Sequence, residues 1–513
     1  MIPKYYRLLM VVLLTIIYNA FFWQKVLGIN VFIFSLLMLG SLLALNPSSR
    51  NSRNVWITGL GTILTGLMVI LHNSPFSKVV HIGSLILFAG FVHQPSMRSV
   101  ILALLEIVRS YFHMIRDAYY AISESLSKKK AIGKLWEVFR ASFIPLSIII
   151  AFLTVFTFAN PRFDSLMDKL LLLSTSFFQG LEPGRLLFFF FGGLLILGLL
   201  YRTKEASSTD DIQTFIPSER AFDPSTAKKA YFTWSVILSV ANLLLFLYLL
   251  IEVVWILGDF KGPEEMSLRT IAFKGLYLFI FIIIPSLLIF MYQLYRRKHL
   301  IRLSGRLRQL AIVWLVQTCF LLLAVQVRIL RYIAASGLTY RRIFLLLMLT
   351  LVLTGVCVLL IMMLQRKGYY FFIRSSSWAA YALMVLLCLF SWDRNIAQFN
   401  LTLSAHHPID GLYLTQLEDH VLPVLLEKTH LAFEDSEATR AYLDALEGKM
   451  LTFRSEYENS SWLCWNIADQ RTHLYLTRQG YNTLQEVIQF RKRNPKTWEG
   501  RTTSLNKSYR SFK

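Results

Sequence analysis

About eleven stretches of some twenty apolar residues fill the chain up to Phe390, and a polar, largely charged region follows. A helix of that length crosses a hydrocarbon core of about 30 Å. The expected fold is therefore all-α: a polytopic transmembrane helix bundle with a small helical extramembrane domain at its C-terminal end. The spans read as about 8–23, 28–45, 55–72, 79–93, 138–159, 185–201, 230–257, 270–293, 309–330, 343–364 and 376–391. The organisation that follows is an N-terminal bundle over 1–201, a cytoplasmic linker over 202–229, a C-terminal bundle over 230–392, a helical extracytoplasmic domain over 393–493 and a disordered basic end over 494–513.

Composition supports a membrane protein and excludes a common alternative. Hydrophobic residues make up 55% and charged residues 16%, against about 25% charged in soluble proteins. A net charge of +22 resembles that of a nucleic-acid binder. The Lys and Arg residues nevertheless gather at alternate ends of the spans, as membrane orientation requires, so nucleic acid is not an expected partner. Their asymmetry puts the N-terminus in the cytoplasm and, with eleven spans, the C-terminal domain outside. The segment from Leu8 to Trp23 is too long for a signal-peptide core and reads as an uncleaved first span. Cys319, Cys357 and Cys388 lie in spans, where packing is their expected use. Cys464 is single in the polar region, and so is silent on redox compartment.

Two amphipathic segments stand apart from the spans. In 100–120, Ile101, Leu104, Val108, Phe112, Ile115 and Tyr119 recur at helical spacing, with Glu106, Arg109, His113, Arg116 and Asp117 opposite. A helix in the headgroup layer, followed by Lys128, Lys129 and Lys130 for anionic lipid, fits this pattern. Packing beneath the bundle fits it equally. The second segment runs from Phe163 to Phe178. In the C-terminal region, helices are expected over 409–426, 436–456 and 461–491.

Several passages carry a resemblance. They are FANPRFDSLMDKL after the fifth span, ASGLTYRRI before the tenth, and then WDRNIAQFNL, IDGLYLTQLEDHVLPVLLE and SWLCWNIADQR beyond the last. In order and spacing the chain resembles bacterial polytopic membrane proteins of the domain-of-unknown-function families 4153 and 4173, over roughly 139 to 476. It keeps that pattern at Gly337, Leu338, Thr339, Asp393, Ile396, Ala397, Asn400, Asp410, Tyr413 and Leu414, and departs from it at Ser336 and Phe399. The resemblance implies architecture and a bacterial cytoplasmic (inner) membrane. It brings no activity and no catalytic residues.

The candidate site is a set of charges that neither fold nor orientation demands: Glu252, Arg328, Arg331, Arg341, Arg342, Asp393 and Arg394. The arginines sit on the side that should be poor in them, and Arg341 and Arg342 open a helix whose dipole disfavours cations. An ion-pair network of Glu252 and Asp393 with the arginines, locking the C-terminal helices to the bundle, is the favoured reading. An anion site for a phosphate or lipid headgroup is the other. Lys274 is expected to snorkel, and Pro145 and Pro285 to kink their spans. The chain has no HExxH, GxSxG, P-loop or GxGxxG motif, and its histidines are scattered. No catalytic residue, cofactor or metal is therefore assigned. The expectation is a non-enzymatic envelope scaffold, sensor or partner-binding protein, with membrane lipids and another envelope protein as partners. A transporter or lipid-translocating protein is the alternative, served by few polar span residues: Gln317, Thr318, Gln326, Thr350 and Thr354.

Overall fold

Among the described residues, apolar runs without an internal break become single helices. The structure, a computed structural model, describes residues 4–127, 183–200, 224–257, 305–403, 411–427 and 436–480, with single positions between 152 and 167. The expected spans 138–159 and 270–293, most of the segment 163–178, linker residues 202–223 and the basic end 494–513 lie outside the described residues, as do Lys274, Pro145, Pro285 and Asp410. Everything regular among the described residues is helical. The first ten helices are α1 (Lys4–Phe22), α2 (Ile29–Leu45), α3 (Arg53–His72), α4 (Pro75–His93), α5 (Val100–Ser127), α6 (Pro183–Leu200), α7 (Pro224–Leu257), α8 (Gly305–Ser336), α9 (Tyr340–Leu364) and α10 (Tyr369–Cys388). Six of them, α3, α4 and α7 to α10, are long and apolar enough to cross a membrane; α1, α2 and α6 hold shorter apolar helices. The chain is a multi-pass membrane protein in composition and form. Helix α7 starts earlier than the linker reading allows, with Pro224 at its first position, where a missing N–H costs nothing.

Left-handed residues end several of these helices. Gln24, Asn73 and Arg366 adopt positive φ, as does Gly337 at +88°. After α9, the Lys367 N–H returns 3.0 Å to the Met362 carbonyl, which closes the helix end.

The chain divides into two compact units. The first comprises Met1–Ile63, Ile82–Arg98 and Leu102–Ser207. Here α1 meets α2 through Asn30, which is buried. Its side chain accepts from the Gly28 and Val31 N–H groups and donates to the carbonyls of Phe21 and Val26. One amide thus satisfies backbone at a helix end and a helix start, where partners are otherwise lacking. Helix α6 approaches α1 along small residues, and the Tyr18 ring stacks on Phe188 at 4.8 Å.

Helix α5 buries Val100, Ala103, Ile107 and Met114. Glu106 and Ser110 are buried, whereas Leu104, Val108 and Phe112 are exposed. Ser110 Oγ donates to Gly198 O, at the end of α6 where carbonyls lack intrahelical partners, and Tyr111 Oη to Leu195 O, both at 2.7 Å. The buried face is therefore mixed, and Arg116 of the polar side is exposed together with the described part of the apolar stripe. A methyl group at Gly198 would overlap the Tyr111 ring. Gly198→Ala should lower the melting temperature in detergent by an overpacking cost of about 1–3 kcal/mol. Adding Tyr111→Ala should remove the steric part, and an unchanged transition in Gly198→Ala alone would refute this contact.

The second unit comprises Leu64–His81, Ser99–Ile101 and Ser208–Lys513. Its membrane part packs α7, α8 and α9 around Leu238, Trp314, Leu315, Leu322, Val356 and Leu359. The C-terminal part holds α11 (Trp392–Leu403), α12 (Gly411–Thr415), α13 (Leu422–Glu427), α14 (Ser436–Glu458) and α15 (Ile467–Tyr475). The helix expected over 409–426 is broken, because a 3-10 turn at Asp419–Val421 separates α12 from α13. The third helix starts only at Ile467, where Asn466 caps it by accepting from the Asp469 N–H. Residues beyond Gly480 lie outside the described ones. The C-terminal core of Ile396, Leu401, Leu414, Leu425, Tyr442 and Phe453 takes in Leu338, Tyr340 and Ile343 from the start of α9. These helices are seated on the Tyr340 end of the membrane bundle.

Candidate functional site

The seating is built on a three-residue turn. Helix α8 ends where the Gly337 N–H reaches Ile333 O at 2.8 Å, and the positive φ of Gly337 swings the chain into α9. The turn leaves both polar groups of Leu338 facing α11, and Asn400 takes both. Its Oδ1 accepts from the Leu338 N–H at 2.6 Å and its Nδ2 donates to Leu338 O at 2.9 Å. A Cβ at Gly337 would lie 2.7 Å from that Oδ1. One residue later the Tyr340 N–H, a helix-start donor, is accepted by the Tyr413 hydroxyl of α12 at 3.1 Å. Four residues of three separate sequence passages, Gly337, Leu338, Asn400 and Tyr413, therefore meet at one joint.

The arginines have different uses. Arg342 opens α9 but reaches back to the other helix: its guanidinium donates to Ser336 O at 2.7 Å, to Gly337 O, and to the Tyr332 hydroxyl at 3.0 Å, and it lies 4.2 Å over the Tyr332 ring. A cation disfavoured at one helix start thus caps the end of the preceding helix, where the dipole favours it. Arg308 does the same at the opposite end of the pair, donating to Met363 O and Leu364 O. Arg328 forms a two-pronged ion pair with Glu252 of α7, with side-chain exposures of 11% and 3%. Arg341 and Arg394 are exposed and Arg331 is half-buried.

Asp393 opens α11, and its side chain is 1% exposed. Among the described residues, the group within ion-pair reach is His420, whose Nε2 lies 3.9 Å from Oδ2. The Tyr340 hydroxyl borders the same carboxyl group. Ser391 Oγ lies 3.4 Å from His420 Nε2. Burial holds the His420 imidazole down at about 4, against the opposing pull of Asp393. Burial pushes the Glu418 carboxyl up, although Lys78 works the other way, and raises the Tyr413 hydroxyl. Asp469 is also raised by burial, while Asn466 and Asn73 donate to it at 2.5 and 3.2 Å. Lys449 pairs with Asp419 at 2.8 Å.

The seven charges picked from the sequence thus separate. Glu252 is brought to Arg328, Arg342 to backbone carbonyls, and Asp393 to a histidine. Sequence reasoning passed over His420, Glu418, Tyr340, Asn73 and Asp469. The available signal was the coincidence of Gly337, Asp393, Asn400 and Tyr413 in the resemblance pattern. Among the described residues no three or more His, Cys, Asp or Glu side chains are arranged to hold a metal ion.

A family model described as "Domain of unknown function (DUF4153)" matches residues 8–428, and so includes the Gly337 turn, Asp393, Asn400, Tyr413 and His420. No curated protein and no solved structure matches the chain.

Proposed function

Since this chain belongs to the DUF4153 family, whose description names no activity, we propose the function from the joint: a non-enzymatic scaffold, sensor or partner-binding protein of the bacterial envelope. Its membrane helices carry the C-terminal helices as a fixed platform. What supports the reading is how the motif residues are spent. Gly337, Leu338, Asn400 and Tyr413 bind the platform to the bundle through backbone hydrogen bonds. The polar span residues point the same way, since Thr318, Thr350 and Thr354 donate to carbonyls of their own helices. We place the protein in the cytoplasmic membrane, N-terminus inside and platform outside, with kinship to family 4173 included in the reading. The alternative, a lipid-translocating or transport protein with an outer-leaflet anion site, draws on Arg341 and Arg394, which are exposed near the same end.

Photo-crosslinkers at the exposed Leu451, Trp462 and Leu474 of the full-length protein in cells should give a discrete adduct that Asn400→Ala abolishes. No adduct, together with lipid movement in reconstituted vesicles that Arg341→Gln stops, would replace this reading with the alternative. Orientation is checked separately. A cysteine introduced by Ser207→Cys should react with an impermeant maleimide only after permeabilisation, and Cys464 should react without it.

A further inference from the structure

We propose that α5 lies in the plane of the membrane and binds anionic phospholipid, with Leu104, Leu105, Val108 and Phe112 among the acyl chains and Arg109 and Arg116 at the level of the phosphates. Two observations set its depth. His93 Nε2, at the end of α4, lies 2.8 Å from Leu199 O at the end of α6, so these two apolar helices finish at one level. Helix α5 runs across both ends. A Cβ at Gly90, three residues before the end of α4, would overlap the Ala103 backbone, and Ser110 Oγ reaches Gly198 O, two residues before the end of α6. The stretch 103–111 is thus held against the last turns of two apolar helices, where hydrocarbon gives way to headgroups.

The outward face of α5 fits that depth. Leu104, Leu105, Val108 and Phe112 fall within a sector of about 100° around the helix axis. All four are exposed, Phe112 by 70%. At the border of the sector stand Arg116, exposed, and Arg109, half-buried, whose Nε also donates to His113. The apolar surface continues beyond α5, since Tyr111 Oη joins it to Leu195 O of α6, whose Leu194 and Leu195 side chains are exposed as well. A helix packed beneath the bundle would show its apolar side to protein and its charges to water. Here Glu106 is buried and Phe112 is outside.

Charge selects the lipid. Residues 94–140 hold eight Lys and Arg against four Asp and Glu, a balance that suits anionic headgroups over zwitterionic ones. Arginine side chains at an apolar border are long enough to reach the phosphates. On the orientation given above the leaflet is the cytoplasmic one, and nothing in this surface depends on the platform.

The test uses full-length protein in vesicles of phosphatidylcholine and phosphatidylglycerol in equal amounts. Cys319, Cys357, Cys388 and Cys464 are replaced by serine, and a nitroxide is attached after Val108→Cys, Phe112→Cys or, as a mid-span control, Leu60→Cys, an exposed position of α3. Power saturation with oxygen and an aqueous nickel chelate reads the depth. Labels at 108 and 112 should lie about 5–10 Å below the phosphates, and the label at 60 deeper. Strong relaxation by nickel at 112 would place the face in water, and shielding from both reagents would place it against protein, of this chain or a second copy. Either result overturns the proposal. So does a depth at 112 equal to that at 60, because α5 would then cross the membrane. A second measurement keeps the native cysteines and puts a benzophenone amino acid at 112. Its lipid adducts should favour phosphatidylglycerol, by up to about fivefold for each arginine, and Arg109→Gln with Arg116→Gln should bring the ratio towards one. Equal adducts in the parent, or adducts to protein in place of lipid, would overturn the proposal.

Discussion

Glu252→Gln should melt about 3–5 °C below the parent in detergent, from a loss of about 3–5 kcal/mol for breaking one side of a buried ion pair. Glu252 lies near the end of α7, and Arg328 meets it from α8 with both prongs of its guanidinium. Tyr248, one turn earlier on α7, interacts with both members. Removing the acid leaves a largely buried guanidinium without its carboxylate. Surface pairs contribute only about 0–1 kcal/mol, so a small effect would mean that the site is wetter than its exposures of 3% and 11% indicate. The double variant Glu252→Gln with Arg328→Gln should recover part of the loss, because neither charge is then left alone. Arg331→Gln in place of Arg328→Gln should recover nothing. Equal rescue by either arginine would show that the pair is not the one described.

That last contrast marks where sequence reasoning stops. Arg328 and Arg331 are three residues apart on one helix, and both satisfy the argument that a charge at membrane depth needs a partner. Only the rotation of α8 against α7 decides which of them meets Glu252. The spans that fall on described residues were legible because lipid imposes a length and a composition on any helix that crosses it. Arg342 was legible as an anomaly and not as a solution, since the carbonyls it caps belong to the previous helix and return to it only through the Gly337 turn. The broken helix over 409–426 misled for a related reason. Its leucines keep helical spacing, yet the chain bends at Gln416–Glu418 to bring Leu414, Leu417 and Leu425 into one core. Asp393 and His420 carry no mutual pattern at all, being 27 positions apart and brought together by folding alone.

Gly337→Ala should unseat the C-terminal helices, with a loss of about 3–5 kcal/mol from two separate sources. The backbone at φ +88° is one that side chains with a Cβ adopt at a cost of about 1–2 kcal/mol. The added methyl would also stand 2.7 Å from Asn400 Oδ1, so the amide must withdraw from Leu338. Each buried polar group left without its partner then costs about 1–3 kcal/mol. Asn400→Ala shares the second source and not the first, and should lose less. Pairing the two substitutions separates them: with the amide gone the methyl has room, so the double variant should lose less than the sum of the singles. Asn400→Asp keeps an acceptor for the Leu338 N–H but sets a carboxylate against Leu338 O, and should fall between Asn400→Ala and the parent only in acid, where it can donate. Hydrogen exchange locates the effect. In Gly337→Ala the amides of Leu338 and Tyr340 and those over 411–427 should lose protection together, while α9 beyond its first turn keeps its own. Loss of protection spread evenly along α8 and α9 would mean that the turn shapes the membrane helices themselves rather than the joint. A melting temperature unchanged in Gly337→Ala would show that Asn400 holds Leu338 without needing glycine beside it.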